Sequence, residues 1–146
     1  NIVGEPAVTG ETTFTDLTAN WYQNAVLWAY QTGVASGMSE TTFAPDDPVT
    51  REQVTVFLAE FADRVLDKYT PYMWDALFPF QDRESISYYA RTAMNWACDL
   101  GLIKGIPGPG GLRLEPQSYA TREQMAVILA QFCRELNVWN EPIPEL

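Results

Sequence analysis

Arg51 and Arg122 stand in the same context, Thr50-Arg51-Glu52-Gln53 and Thr121-Arg122-Glu123-Gln124, 71 residues apart. A threonine followed three residues later by glutamine is a capping box that opens a helix. Each arginine therefore takes the first helical position, where backbone N–H groups lack partners and the helix end carries about half a positive charge. A planar guanidinium beside those donors can grip a carboxylate with two bonds. The chemistry on offer is capture of an anion. The competing reading is structural: each arginine ties its helix start to the neighbouring unit through a salt bridge. Glu52 and Glu123 suit the helix dipole and can pair with the adjacent arginine when no ligand is bound.

Composition removes most other chemistry. The chain has no histidine and two cysteines, which rules out Ser-His-Asp triads, His-containing zinc sites and a cysteine-only zinc cage. Nineteen acidic residues supply carboxylate pairs, but no spacing singles out an acid and a base, and no nucleophile motif occurs. Asp46-Asp47 lacks the alternating ligand spacing of a calcium loop. The expectation is no enzyme, no cofactor and no metal. A formal net charge of −10 argues against nucleic acid, whose phosphates need clustered Lys and Arg. No apolar run approaches the ~20 residues of a membrane span. The chain opens on Asn1 without a signal-like stretch, so it reads as a portion of something longer.

The elements that must position the arginines come in two copies. Beyond the Thr-Arg-Glu-Gln motif, Pro45 recurs as Pro116, Trp28-Ala29 as Trp96-Ala97, and Gly33 and Gly37 as Gly101 and Gly105. Phe14-Thr15-Asp16 matches Phe80-Gln81-Asp82. The copies differ in length through the run Ile106-Pro107-Gly108-Pro109-Gly110-Gly111, a longer surface loop. Each copy reads as helix, loop, helix. The second helices carry Val54, Phe57, Leu58, Phe61, Ala62 and Val65, and Met125, Ile128, Leu129, Phe132, Cys133 and Leu136, the stripe of an amphipathic helix. The first helices carry Trp21, Ala25, Trp28 and Ala29, and Tyr89, Ala93, Trp96 and Ala97. Gly33 and Gly101 fall where a left-handed cap ends them. Phe43 and Leu114, each two residues before a proline, are expected to be extended and tucked against the helix pair, with a short strand as one form of that.

In this order, Phe-x-Asp, an aromatic on the first helix, Gly-x-x-x-Gly, Phe-x-Pro and Val-Thr-Arg-Glu resemble the S-layer homology family. The first copy shows Phe14-Thr15-Asp16, Trp21, Gly33 to Gly37, Phe43-Ala44-Pro45 and Val49-Thr50-Arg51-Glu52. The second shows Phe80-Gln81-Asp82, Tyr89, Gly101 to Gly105, Leu114-Glu115-Pro116 and Ala120-Thr121-Arg122-Glu123. The resemblance implies attachment of secreted proteins to the bacterial cell surface, through three-repeat spindles that bind secondary cell-wall polysaccharide, often pyruvylated. It ties that ligand to the Thr-Arg-Glu arginine, here Arg51 and Arg122. Two repeats are evident where three are usual, Glu40-Thr41 stands where the family favours Asp-Gly, and Leu114 replaces the second Phe.

The resulting expectation is an all-α fold of two helix–loop–helix repeats packed side by side. An irregular segment 1–13 precedes repeat one (14–66), a packed aromatic connector (67–79) leads to repeat two (80–137), and a tail (138–146) follows. The function expected is a non-catalytic anchoring module in the bacterial cell wall or S-layer, outside the cell, partnered by cell-wall polysaccharide. The alternative is a protein–protein or self-association module on the same scaffold, its apolar surface open where a third repeat is lacking. Candidate ligand contacts are Arg51, Arg122, Trp21, Tyr89, Asp16, Asp82, Gly37 and Gly105. Core packing competes for the aromatics, and bonding of backbone N–H groups competes for the aspartates. Cys98 and Cys133 fall on the two helices of repeat two, and export would permit a disulfide. A disulfide and a buried thiol pair both remain open.

Overall fold

The structure, a computed structural model, describes residues 7–70 and 74–138. Four helices carry it: α1 (Asn20–Thr32), α2 (Arg51–Arg64), α3 (Arg91–Asp99) and α4 (Arg122–Glu135). Both capping boxes form. Gln53 and Thr50 exchange bonds at 3.3 and 2.9 Å, and Gln124 and Thr121 do so at 3.2 Å each. Gly33 ends α1 in the left-handed region at φ +77°, a conformation that suits a residue without Cβ. Two short 3-10 turns, Arg83–Ser85 and Tyr88–Ala90, lead into α3, so Tyr89 precedes that helix instead of lying inside it.

The fold is mostly helical but not all-α. Strands β1 (Ile106–Gly108) and β2 (Gly111–Arg113) form an antiparallel hairpin, with Ile106 opposite Arg113. The cause is the Gly/Pro run peculiar to the second copy: Gly110 and Gly111 turn the chain at φ +91° and +141°. The first copy has no such run, and its loop is built of turns and bends.

The copies are not packed symmetrically. The closest helix partner of α2 is α3 of the other copy. Val54, Leu58, Ala59 and Ala62 of α2 share one core with Ala93, Met94 and Trp96 of α3, Ile128 and Phe132 of α4, and Leu114. An aromatic ladder crosses that core: Trp28–Phe61 at 6.1 Å, Phe61–Phe132 at 6.0 Å, Phe132–Trp96 at 6.5 Å and Trp96–Tyr69 at 5.4 Å between ring centroids. Tyr69 brings the connector into the core. The indole N–H groups of Trp28 and Trp96 are buried without a partner among the described residues, costing about 1–3 kcal/mol apiece. Their rings must therefore contribute through area and stacking.

The stripe expected on α1 does not hold. Trp21 is 86% exposed, Ala25 is exposed, and Val26 and Leu27 are the buried residues. On α3 the matching Ala93, Trp96 and Ala97 are buried. The difference is α2, which covers α3 and has no counterpart over α1. Residues 7–13 carry no helix or strand, and the Thr9 carbonyl accepts a bond from Gln31. The rest of both tails and residues 71–73 of the connector lie outside the described residues.

Candidate functional site

The site is built first by the aspartates. Asp16 accepts from the backbone N–H groups of Phe43 (3.0 Å) and Ala44 (2.7 Å). Asp82 does the same for Leu114 and Glu115, both at 2.8 Å. These paired bonds hold Ala44 and Glu115 in the left-handed region, at φ +62° and +50°, a conformation that costs a residue with Cβ about 1–2 kcal/mol. The same donors hold the Asp16 carboxyl below its ordinary range, because they bond the charged form. Both carboxylates are committed to shaping their loops. Gly37 and Gly105 serve the same loops. A Cβ at Gly105 would stand 2.5 Å from the Phe80 ring, and one at Gly37 would run into the Phe14 ring and meet Ser39 O at 2.6 Å.

The start of α2 is then set into the loop of the other copy. Ala120 N donates to Val49 O at 3.0 Å, Arg51 N to Ser118 O at 2.9 Å and Glu52 N to Pro116 O at 3.0 Å. The Arg51 side chain, 5% exposed, donates from Nε to Leu114 O at 2.7 Å. Glu52, 2% exposed, accepts from Ser87 N (3.0 Å), Ser87 Oγ (2.7 Å) and Tyr89 Oη (3.0 Å). Two expectations are corrected here. The helix-start N–H groups of Arg51 and Glu52 are occupied by carbonyls and are not free for an anion. Glu52 is held by Ser87 and Tyr89 and does not pair with Arg51. Partial burial and the bond to Glu52 push the Tyr89 hydroxyl up, desolvation first.

What remains available is the guanidinium. Its two terminal amino groups have no hydrogen-bond partner among the described residues. Arg51 lines a cleft of about 470 Å³ with the Gly101–Ile106 loop and the α4 residues Glu123, Gln124, Val127 and Gln131. Burial lowers the Arg51 pKa, and the nearby Glu115, Cys98 and Asp82 oppose that shift; an arginine stays charged at neutral pH regardless. Lys104, on the loop between the two glycines, adds a second cation. The arrangement suits an anion held at one wall of an otherwise largely apolar cleft.

Of the candidate residues, the structure brings Arg51 and Gly105 together in this cleft. Trp21, Tyr89, Asp16, Asp82 and Gly37 do not line it. Arg122 is exposed and lines a different groove of about 950 Å³ between α2 and α4, with Asp46, Asp47, Phe57 and Phe61. Lys104 was missed, though its place between Gly101 and Gly105 was a usable signal. Cys98 and Cys133 are free thiols, which corrects the disulfide alternative. Cys133 is buried, and burial pushes the Cys98 thiol up to about 12. Among the described residues, no cluster of His, Cys, Asp or Glu could hold a metal ion, and no helix is long and apolar enough to cross a membrane.

Comparison with known proteins gives the arrangement its context. The S-layer homology domain matches residues 13–55 and 79–126, one match in each copy. The chain is 28% identical over 123 residues to the Surface-layer 125 kDa protein of Lysinibacillus sphaericus, covering 84% of this chain and 10% of that protein. It is 32% identical over 130 residues to Exoglucanase XynX of Acetivibrio thermocellus, covering 87% and 11%. To the Amylopullulanase of Thermoanaerobacterium thermosulfurigenes it is 32% identical over 119 residues, covering 80% and 6%. The chain thus spans about a tenth or less of these relatives, and its likeness to two enzymes is a likeness to a small part of each. With both copies matched, the chain belongs to the S-layer homology family, whose non-catalytic domains anchor proteins at the cell surface.

Proposed function

We propose that this chain holds its parent protein on the bacterial cell wall by binding an anionic secondary cell-wall polysaccharide, with Arg51 as the central contact. The observation that carries the reading is the state of Arg51. It is almost wholly buried, fixed by Nε to Leu114 O, and lines a cleft that also holds Lys104. A carboxylate, such as that of a pyruvate ketal on a sugar, matches this fork. Attraction is local, because a chain at −10 repels anions at long range, and binding weakens with salt. Arg122 is exposed and shares its groove with the carboxylates of Asp46 and Asp47, so one such site per chain is expected.

The test is retention on purified bacterial cell-wall sacculi, with and without extraction of the secondary polysaccharide. Retention that disappears on extraction supports the reading. Equal retention on extracted sacculi, or none on intact ones, removes it.

A further inference from the structure

Tyr89, which does not line the Arg51 cleft, lines a separate crevice of about 180 Å³ along the joint between α2 and α3. Its apolar part is small: Val56 and Ala59 of α2 and the buried Ala93 of α3. Tyr69 of the connector is its second aromatic residue, and Glu60, Asp63 and Thr92 complete the lining. Both tyrosines are fixed from elsewhere. Tyr89 Oη donates to the buried Glu52 at 3.0 Å, and the Tyr69 ring packs on Trp96 at 5.4 Å between centroids. Val56, Ala59, Glu60 and Asp63 recur at the spacing of one helix face, whereas Val54, Phe57, Leu58 and Phe61 line the groove toward α4. The crevice is thus complete within one chain. Its volume equals roughly six waters at ~30 Å³ each, room for one small organic group and not for a stretch of polymer.

Charge decides what fits. Among the described residues, no lysine or arginine lines the crevice. Arg64 pairs with Glu60 and lies near Asp63 without bonding to it, so two carboxylates stand against one cation. Asp63 and the Thr92 hydroxyl have no hydrogen-bond partner among the described residues. At the corresponding positions of the second copy α4 carries Gln131 and Arg134, so the two carboxylates belong to the helix that has the crevice. An anion is repelled here. A cation is drawn by the carboxylates, and also by aromatic ring faces, the more strongly as water is removed.

We propose that this crevice binds an organic ammonium ion, the charged end of a ligand on a short stem, with Tyr69 and Tyr89 as its aromatic walls and Glu60 and Asp63 as counter-charges. It shares no lining residue with the Arg51 cleft, and the proposal is independent of glycan binding there.

Chemical-shift titration of the whole chain with choline and, separately, with butylamine tests it, the first a quaternary and the second a primary ammonium ion. Dimethylbutanol, the uncharged isostere of choline, and N-acetylglucosamine are the controls. At least one amine should bind saturably and move resonances of Tyr69, Tyr89 and Thr92, and the tighter of the two names the kind of ammonium group. Glu60→Gln with Asp63→Asn should weaken that binding about fivefold or more, and added salt should weaken it too. Tyr89→Phe and Tyr89→Leu both lose the bond to Glu52, but only leucine loses the ring, so the phenylalanine variant should bind about fivefold more tightly. Thermal melts check that each variant is folded, and the carboxylate pair, away from the core, keeps the test open if Tyr89→Leu is not. The proposal is overturned if neither amine gives a saturable shift, or if dimethylbutanol binds as tightly as choline. Tighter binding of N-acetylglucosamine than of either amine at the same resonances, or affinity untouched by Glu60→Gln with Asp63→Asn, overturns it as well.

Discussion

The Arg51 Nε donates to the carbonyl oxygen of Leu114 at 2.7 Å, across 63 residues of sequence and from one copy of the repeat to the other. One edge of the guanidinium is thereby fixed, and Arg51 lines the cleft beside the Gly101–Ile106 loop. Leu114 is itself 0% exposed and takes its N–H bond to Asp82 at 2.8 Å. The chain Asp82–Leu114–Arg51 makes the second copy's loop the positioning element for the first copy's arginine.

Asp82→Ala should therefore act on both stability and binding. Loss of two bonds from backbone N–H groups to a carboxylate should cost about 1.5–3 kcal/mol, and polysaccharide affinity should fall because the Leu114 carbonyl loses its place. Asp16→Ala, in the loop that holds no arginine, should leave affinity near the parent's. Urea unfolding with a binding assay on the same samples separates the two.

Glu52→Ala should be among the most destabilising changes on α2. It removes the buried carboxylate that accepts from Ser87 N–H, the Ser87 hydroxyl and the Tyr89 hydroxyl at a part-buried joint. An unsatisfied buried group costs about 1–3 kcal/mol. The equivalent Glu123→Ala, at an exposed position, should change stability by less than about 0.5 kcal/mol. Paired thermal melts give the comparison, and equal losses would contradict the asymmetric joint.

Acid should release the first loop through Asp16. Its folded pKa lies below the ordinary value of 3.8 because Phe43 and Ala44 donate to the charged form. The unfolded state thus binds the proton more readily, so the contribution of this group is present above about 3.8 and is lost as pH falls through the lowered folded value. The stability difference between the parent and Asp16→Asn should be constant near neutrality and shrink below that point. A carboxyl resonance of Asp16 that titrates above 3.8 would contradict the bonding seen here.

Much of this was legible in the sequence, and what was not has a physical reason. The capping boxes at Thr50 and Thr121 depend on local spacing and formed as read, and so did the stripes of α2 and α4 apart from Phe57, which is exposed. The Gly/Pro run was read as a longer loop and a short strand was allowed only near Leu114, because the strands of the hairpin are three residues each and its signal is glycine and proline alone. The failed stripe on α1 shows where periodicity stops informing. Trp21-Ala25 and Tyr89-Ala93 are the same pattern, but burial depends on whether another helix arrives: Ala93 is covered at the joint with α2, Ala25 is exposed, and Tyr89 itself stays 59% exposed. Arg51 and Arg122 differ for the same reason: identical motifs take their environments from the neighbouring copy.

Gly105→Ala should unfold the second loop more than it disturbs the cleft chemistry. The added Cβ meets the Phe80 ring at 2.5 Å and the backbone is at φ +78°, so a loss of about 1–3 kcal/mol is expected from overpacking, with backbone strain added. Phe80→Leu, which shortens the ring's reach, should recover part of it. No recovery would mean that backbone strain alone sets the loss.

The thiols should behave as two free, unreactive groups. Intact mass without reductant should show no two-dalton deficit, and alkylation at neutral pH should reach Cys98 only after unfolding, since burial holds its thiol pKa at about 12. A native mass short by two daltons would contradict the structure.

The most direct test of the account is titration of extracted cell-wall polysaccharide into the parent, Arg51→Ala, Arg51→Lys and Arg122→Ala, followed by calorimetry. Arg51→Ala should lose at least about tenfold in affinity, or ~1.4 kcal/mol, and Arg51→Lys should recover only part, having charge without the fork. Arg122→Ala should bind within about twofold of the parent. If Arg51→Ala binds like the parent while its melting temperature falls, Arg51 is a structural tie between the two copies and the cleft is not the glycan site.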